Sequence, residues 1–285
     1  MAGRTLGDVT GRGGSAGPET LFAVDVGNTS THVGLFRAGE LTGSYELTTP
    51  GRLTADEALT QARAALAAIT GERGGVAEDA GEIAPDSAIL SCVVPPLADA
   101  WTRALSALTG SRALVVGPGL KTGLKMSYDD PAEVGADRVA DAVAAQASYG
   151  APVVVVDLGT TTNLEVIDEH GAFAGGVIAP GIALGADSLA RAAARLPMIE
   201  LRAPARVIGR NTRAAMQSGV VLGEAARIDG LIDAIFGELG REAPVVLTGN
   251  EAAGLAPLLS HEVTVDASLT LRGLELIWRR NRARR

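Results

Sequence analysis

The sequence predicts an α/β protein built from two copies of one unit, with a ligand cleft where the copies meet. Three observations predict it. The segments VDVGNTST (24–31) and VDLGTTTN (156–163) repeat one pattern, at the ends of the buried-strand runs LFAVDV (21–26) and PVVVVDLG (152–159). Each is followed by the same succession of turn, strand, turn, strand and helix, a duplication at domain scale. The chain has 285 residues and is 47% apolar, enough to fill two ordinary cores. The resulting division is a disordered leader over 1–19, one domain over 20–118 and a second over 119–285.

The Gly-rich leader has no apolar period and lacks the hydrophobic region of a secretory signal. After the first strand (21–26), THVGLF (31–36) reads as a second strand. Ala38-Gly39-Glu40 then turns the chain into a third, over 41–49. Apolar residues at helical spacing mark 53–69, with Thr54 and Glu57 placed as a capping box. A Gly- and acid-rich loop is expected over 71–86, a strand over 87–94, a helix over 95–108 and a strand over 113–116. The second copy opens with a helix over 131–149, followed by strands at 152–159, 163–168 and 172–178. Helices at 182–195 and 212–239 come next. A strand (244–249), a helix (251–259), a short strand (263–265) and a last helix (269–281) complete the chain. The segment 212–239 and the last helix are expected to pack on the second sheet.

Composition excludes several classes. With 25 Lys+Arg against 33 Asp+Glu, the formal charge is −8, which argues against a dedicated duplex-DNA binder. No apolar run reaches the ~18–20 residues that span a bilayer. Cys92 is the only cysteine, so neither an intrachain disulfide nor a cysteine-based zinc cluster can form. It reads as a buried small residue, and Trp101 and Trp278 read as core or subunit-interface residues. His32, His170 and His261 have no metalloprotease spacing. No G-x-x-x-x-G-K-[ST] segment occurs, and Lys121 and Lys125 are the only lysines, which excludes a P-loop. The dinucleotide-binding glycine motif is also absent. The run RRNRARR (279–285) reads as a solvated helix end, where cations are favoured.

The Asp-x-Gly turns carry the chemistry. A carboxylate at the end of a buried strand is costly unless it meets a cation or hydrogen-bond donors. The backbone N–H groups and hydroxyls of Asn28-Thr29 and Thr160-Thr161-Thr162 can cradle phosphate oxygens, while Asp25 and Asp157 can serve Mg²⁺ or another hard cation.

Beyond these turns, the order and spacing of short motifs resemble a known family. They are DVGNTSTHVGLF (25–36), VVPPL (93–97), GPGLKTGLKMSYDDPAEVGADR (117–138), VVDLGTTT (155–162) and GGVIAPGI (175–182). IGRNT (208–212), MQSG (216–219), LTGN (247–250) and LTLRGL (269–274) follow. The architecture resembles the acetate and sugar kinase, heat-shock ATPase and actin superfamily, and within it the type III pantothenate kinases. That resemblance implies two ribonuclease-H-like domains and transfer of the ATP γ-phosphate to the primary hydroxyl of pantothenate in coenzyme A biosynthesis. It also implies a cytoplasmic homodimer whose acceptor pocket is built partly from the neighbouring subunit.

The resemblance further implies residue roles. Asp25, Val26, Gly27, Asn28, Thr29, Ser30, Thr31 and His32 would form the first ATP phosphate loop, with Mg²⁺ on the Asp25 side. Gly159 and Thr160 would contact ATP, and Thr248-Gly249 would lie near the adenosine. Asp157 would bind a monovalent cation, K⁺ or NH₄⁺. Asp137 would be the general base. Gly135, Ala136, Arg138, Tyr128 and Thr212 would line the acceptor pocket. A phosphoryl-transfer site needs positioning and cations more than covalent chemistry, and a guanidinium suits an anionic acceptor.

Five places depart from the family pattern. Asn163 and Glu165 stand where Thr and Asp are usual, and Asp141 stands where Asn follows the GADR motif. Ala193-Ala194 replaces Thr-Ala, and Asn250 replaces the second Gly of TGG. These departures keep two other readings open: a same-fold kinase of a different small hydroxyl acceptor, and a catalytically weak homologue that acts through a partner.

Overall fold

The computed structural model describes residues 19–71, 84–193 and 195–282. Most of the expected leader and of the 71–86 loop, together with Ala194 and the last three residues, lies outside them.

Two mixed sheets organise the chain. In the first, β1 (Thr20–Val26), β2 (Ser30–Arg37) and β3 (Glu40–Thr48) form an antiparallel meander. β4 (Ser87–Cys92) and β5 (Leu114–Val115) add parallel to β1, giving the order β3-β2-β1-β4-β5. The connections carry α1 (Ala55–Thr70) and α2 (Pro95–Thr109). Thr54 and Glu57 close the expected capping box on α1, and Pro95 starts α2, where its missing N–H costs nothing.

The second half begins with β6 (Lys125–Met126) and α3 (Ala136–Tyr149). β7 (Val153–Leu158), β8 (Thr161–Ile167) and β9 (Ala172–Pro180) repeat the meander, and α4 (Ile182–Ala192) follows. α5 (Thr212–Gln217) leads into α6 (Gly223–Leu239); then come β10 (Val245–Thr248), α7 (Ala252–Leu255), β11 (Thr264–Val265) and α8 (Leu269–Arg282). The sheet order β11-β10-β7-β8-β9-β6 repeats the first sheet strand for strand, with β6 added at one edge. This is the duplicated ribonuclease-H-like arrangement.

The structure corrects several expected elements. The helix expected over 131–149 is two pieces: a 3₁₀ turn at Pro131–Glu133, then α3, capped by Gly135. The break places Asp137 in the first turn of a helix rather than in its interior. The expected 212–239 helix contains a π-helical turn at Ser218–Leu222. β6 was not expected, because a two-residue strand has no detectable period.

The largest correction concerns α8, which was expected on the second sheet. It packs instead against α3 and against β1, β2 and β4 of the first sheet. Gly273 permits this, because a Cβ there would collide with the backbone of Ala140 in α3. One apolar cluster therefore joins Leu21, Ala23 and Ile89 of the first sheet, Ala140 to Ala145 of α3, and Leu269 to Trp278 of α8. α6, by contrast, packs on the second sheet as expected, through Ile228 and Ile232. Trp101 is fully buried among α1, α2 and the first sheet, and Trp278 is a core residue of the shared cluster. Cys92 is only half-buried, its thiol donating to Val94 O at 3.3 Å. Among the described residues, no helix is long and apolar enough to cross a membrane.

Candidate functional site

A cleft of about 420 Å³ lies between the two halves, lined by both Asp-x-Gly turns. A glycine N–H closes each turn: Gly27 N donates to Ser30 O, three residues on, and Gly159 N to Thr161 O, two residues on, each at 3.0 Å. The hydroxyls of Thr29 and Thr160 meet at 2.7 Å, so one loop of each half touches the other. Gly249 holds a left-handed φ of 89°, and a Cβ there would stand 2.7 Å from Asp157 Oδ1. The glycine thus lets the β10–α7 turn close against the end of β7.

Asp137 enters the cleft from the start of α3. Its Oδ1 accepts the backbone N–H of Arg138 at 2.8 Å. A side chain at Gly135 would occupy the space this carboxylate uses. The helix N-terminus also favours a negative charge there.

Arg138 takes a different direction. Its buried guanidinium donates from Nε to Glu165 Oε1 at 3.1 Å and lies 5.5 Å from the Phe173 ring centroid. Tyr128 meets the same ring edge-on at 5.9 Å. The structure therefore collects Tyr128 and Arg138 around Phe173 rather than in the cleft lining.

Of the expected site residues, Asp25, Gly27, Asn28, Thr29, Ser30, His32, Asp137, Asp157, Gly159, Thr160, Thr248 and Gly249 line the cleft. Val26 and Thr31 are buried within the first sheet, and the Thr31 hydroxyl bonds that of Thr49 at 2.8 Å. Gly135 and Ala136 stand behind Asp137 as the cap and first residue of α3, and Thr212 is exposed at the start of α5. His32 sits 3.1 Å from Ser30 Oγ through Nε2, and burial lowers its pKa.

Sequence reasoning missed the wall formed by Ser44, Tyr45 and Glu46 of β3 and the apolar floor of Val93, Ala252, Ala253 and Leu271. Glu46 reaches across the cleft to accept Asn250 Nδ2 at 2.6 Å. Phe173 was also missed as a site neighbour; its position on the strand carrying the GG of 175–176 was the available signal.

Electrostatically, the inner end of the cleft is strained. Burial, and next the charge of Asp137, push both Asp25 and Asp157 up to about 7. Burial and then Asp157 raise Glu165 to about 8, against the opposing pull of Arg138. Asp141 is raised well above the usual carboxylate range by burial, then by Asp157 and Glu165. Burial also raises Asp137, which the Arg138 N–H opposes. Asp25 Oδ1, Asp141 Oδ1, Asn163 Oδ1 and Glu165 Oε2 are buried with no hydrogen-bond partner. Unpartnered oxygen acceptors in such a field fit a hard cation. Among the described residues, no three His, Cys, Asp or Glu side chains form a metal set by themselves.

Residues 21–234 match the family model for type III pantothenate kinase. The chain belongs to the type III pantothenate kinase family. A type III pantothenate kinase from Brevibacillus brevis is 39% identical over 267 residues, covering 92% of this chain and 100% of the relative. One from Moorella thermoacetica is 41% identical over 265 residues, covering 92% and 99%. Among solved structures, a protein described as a Baf family transcriptional activator from Campylobacter jejuni aligns with a TM-score of 0.57. It is 19% identical and covers 92% of this chain and 99% of its own. The ethanolamine utilization protein EutJ from Carboxydothermus hydrogenoformans aligns with a TM-score of 0.53 at 18% identity, covering 93% and 92%. These two likenesses speak to the fold alone.

Proposed function

We propose that this member of the type III pantothenate kinase family transfers the γ-phosphate of ATP to the primary hydroxyl of pantothenate. The observation that carries the reading is the position of Asp137. It reaches the cleft from a helix N-terminus and shares its field with the Asp-x-Gly turns of both halves.

In this reading the backbone N–H groups and hydroxyls of 27–30 and of 159–161 hold the triphosphate. Asp137 accepts the proton of the attacking hydroxyl, whose oxygen forms the new P–O bond as ADP leaves. Burial raises its pKa, which makes it a better proton acceptor than an ordinary carboxylate. Arg138 holds the acceptor's carboxylate, with Tyr128 and Thr212 beside it. Asp25 would hold Mg²⁺, and Asp157, with Asn163 and Asp141 near it, would hold K⁺ or NH₄⁺. Bound cations offset the charge that the triphosphate brings to a carboxylate-lined cleft.

A homodimer belongs to this reading, and Ile178, Met198, Val207 and Ile208 are exposed apolar side chains that an interface could cover. A cytoplasmic location goes with the same reading.

The test is ADP release in a coupled assay, with pantothenate set against a panel of small hydroxyl compounds. Release that depends on pantothenate supports the reading. Release with another acceptor alone would move the chain to a sister activity, for which Asp141, Asn163 and Glu165 are the specific residues to examine. No release with any acceptor would favour a binding role.

A further inference from the structure

Glu165 is the residue through which the second sheet reaches the expected acceptor clamp. It is fully buried on β8, two positions beyond Asn163. Its Oε1 accepts Arg138 Nε at 3.1 Å, and among the described residues no hydrogen bond engages the terminal nitrogens of that guanidinium. The guanidinium is fixed from a second side by Phe173, 5.5 Å from its ring centroid, and Tyr128 braces that ring edge-on. Gly176 leaves room for the group, since a Cβ there would stand 3.2 Å from Nη2.

A guanidinium is a planar fork whose two terminal nitrogens match a carboxylate bidentately. Fixing Nε and one face leaves that fork with a single orientation. A long side chain otherwise loses rotamer freedom when it binds, and a clamp held in place beforehand avoids this cost. Glu165, on β8, is the side chain that meets Nε.

We propose that Glu165 is a positioning residue for acceptor recognition: it orients Arg138 so that its terminal nitrogens meet the acceptor's carboxylate. This rests on the reading that Arg138 holds a carboxylate-bearing acceptor. Glu165 does not line the cleft, so its loss should be felt at the acceptor and spare the nucleotide.

The test is steady-state kinetics of wild type, Glu165→Gln and Glu165→Asp with pantothenate and ATP varied in turn. Wild-type turnover of pantothenate is read first, and its absence would refute the underlying reading rather than the link between the two side chains. With turnover present, Glu165→Gln should raise the pantothenate KM about 10-fold while the ATP KM stays within twofold. Glu165→Asp, which keeps a carboxyl group on a shorter arm, should recover part of the loss. An unchanged pantothenate KM, or the two KM values rising together, would overturn the proposal. A second measurement reads the contact without activity or acceptor. In ¹H–¹⁵N spectra the Arg138 Nε–H signal, assigned by its absence in Arg138→Lys, should exchange slowly in wild type and quickly in Glu165→Ala, which leaves no hydrogen-bond acceptor. Fast exchange in wild type would overturn the proposal by itself.

Discussion

The two halves share one plan, and their differences show how a duplicated scaffold divides labour. β1 to β5 and β7 to β11 have the same order, and both meanders carry a one-residue register shift between their second and third strands. The Asp-x-Gly turns differ in length. Val26 pairs with Thr31, whereas Leu158 pairs with Thr162, so the first loop is one residue longer. They differ in depth as well: Asp25 is buried, while Asp157 is partly open. The sharpest divergence is on the strand facing each aspartate. Asp25 pairs with His32 and Asp157 with Asn163; two positions further on, the first half has Gly34 and the second Glu165. Gly34 makes room for Leu41 and Leu271, a packing role, whereas Glu165 holds Arg138. The first half thus backs its Asp-x-Gly turn with apolar packing at this position. The second adds, around the same turn, the carboxylates and the arginine proposed for cation and acceptor.

Predictions that break or sharpen this contrast fall in order of size. Asp137→Asn, the carboxylate shared between the halves, should lower kcat by ~10²–10⁴-fold while ATP binding is retained. Turnover within a few-fold of wild type would remove Asp137 from the base role.

The next effect is on stability. Asp25 and Asp157 have folded pKa values near 7, raised above the ordinary 3.8, so in this interval the folded state binds more protons than the unfolded one. Stability of the ligand-free protein should therefore be greatest at or below about pH 4 as far as these two groups are concerned, and fall as pH rises to about 7. Melting curves from pH 5 to 8, in buffers without divalent cation, check this for wild type, Asp25→Asn and Asp157→Asn. Each single substitution should flatten the slope, and Asp25→Asn should flatten it at least as much, because that group lies deeper. A slope unchanged in both variants would mean that the carboxylates are not strained.

The smallest effect belongs to the rim. Asn250→Gly removes the exposed bond to Glu46, and an exposed polar contact of this kind contributes up to about 1 kcal/mol. The ATP KM should change less than about fivefold. A larger change would mean that the cross-cleft contact shapes the nucleotide site.

Much of this was legible in the sequence, for identifiable reasons. The duplication shows because a buried strand ending in Asp-x-Gly is a rare and strongly constrained pattern, and both copies keep it. The capping box of α1 shows because it is local. Glu46 did not show, because its place depends on a bulge. From the Arg37–Glu40 pairing at the hairpin end, an unbroken ladder would set Tyr45 opposite His32. The shift after Leu35 sets Glu46 there instead. The seat of α8 was hidden because it rests on contacts with β1, β2, β4 and α3, all far from α8 in sequence. The partnership of Arg138 with Glu165 was hidden because it joins a helix start to a strand 27 residues away.

The division of labour between the two turns is tested most directly by one measurement. ADP release is followed for wild type, Asp25→Ala and Asp157→Ala across a Mg²⁺ titration, in K⁺ and then in Na⁺ buffers. Wild type should lose activity when Na⁺ replaces K⁺. Asp157→Ala should become indifferent to that exchange while keeping its Mg²⁺ requirement. Asp25→Ala should need more Mg²⁺ or stop turning over, with any residual activity still dependent on K⁺. Wild-type activity that is identical in K⁺ and Na⁺, or two variants that fail in the same way, would contradict the account.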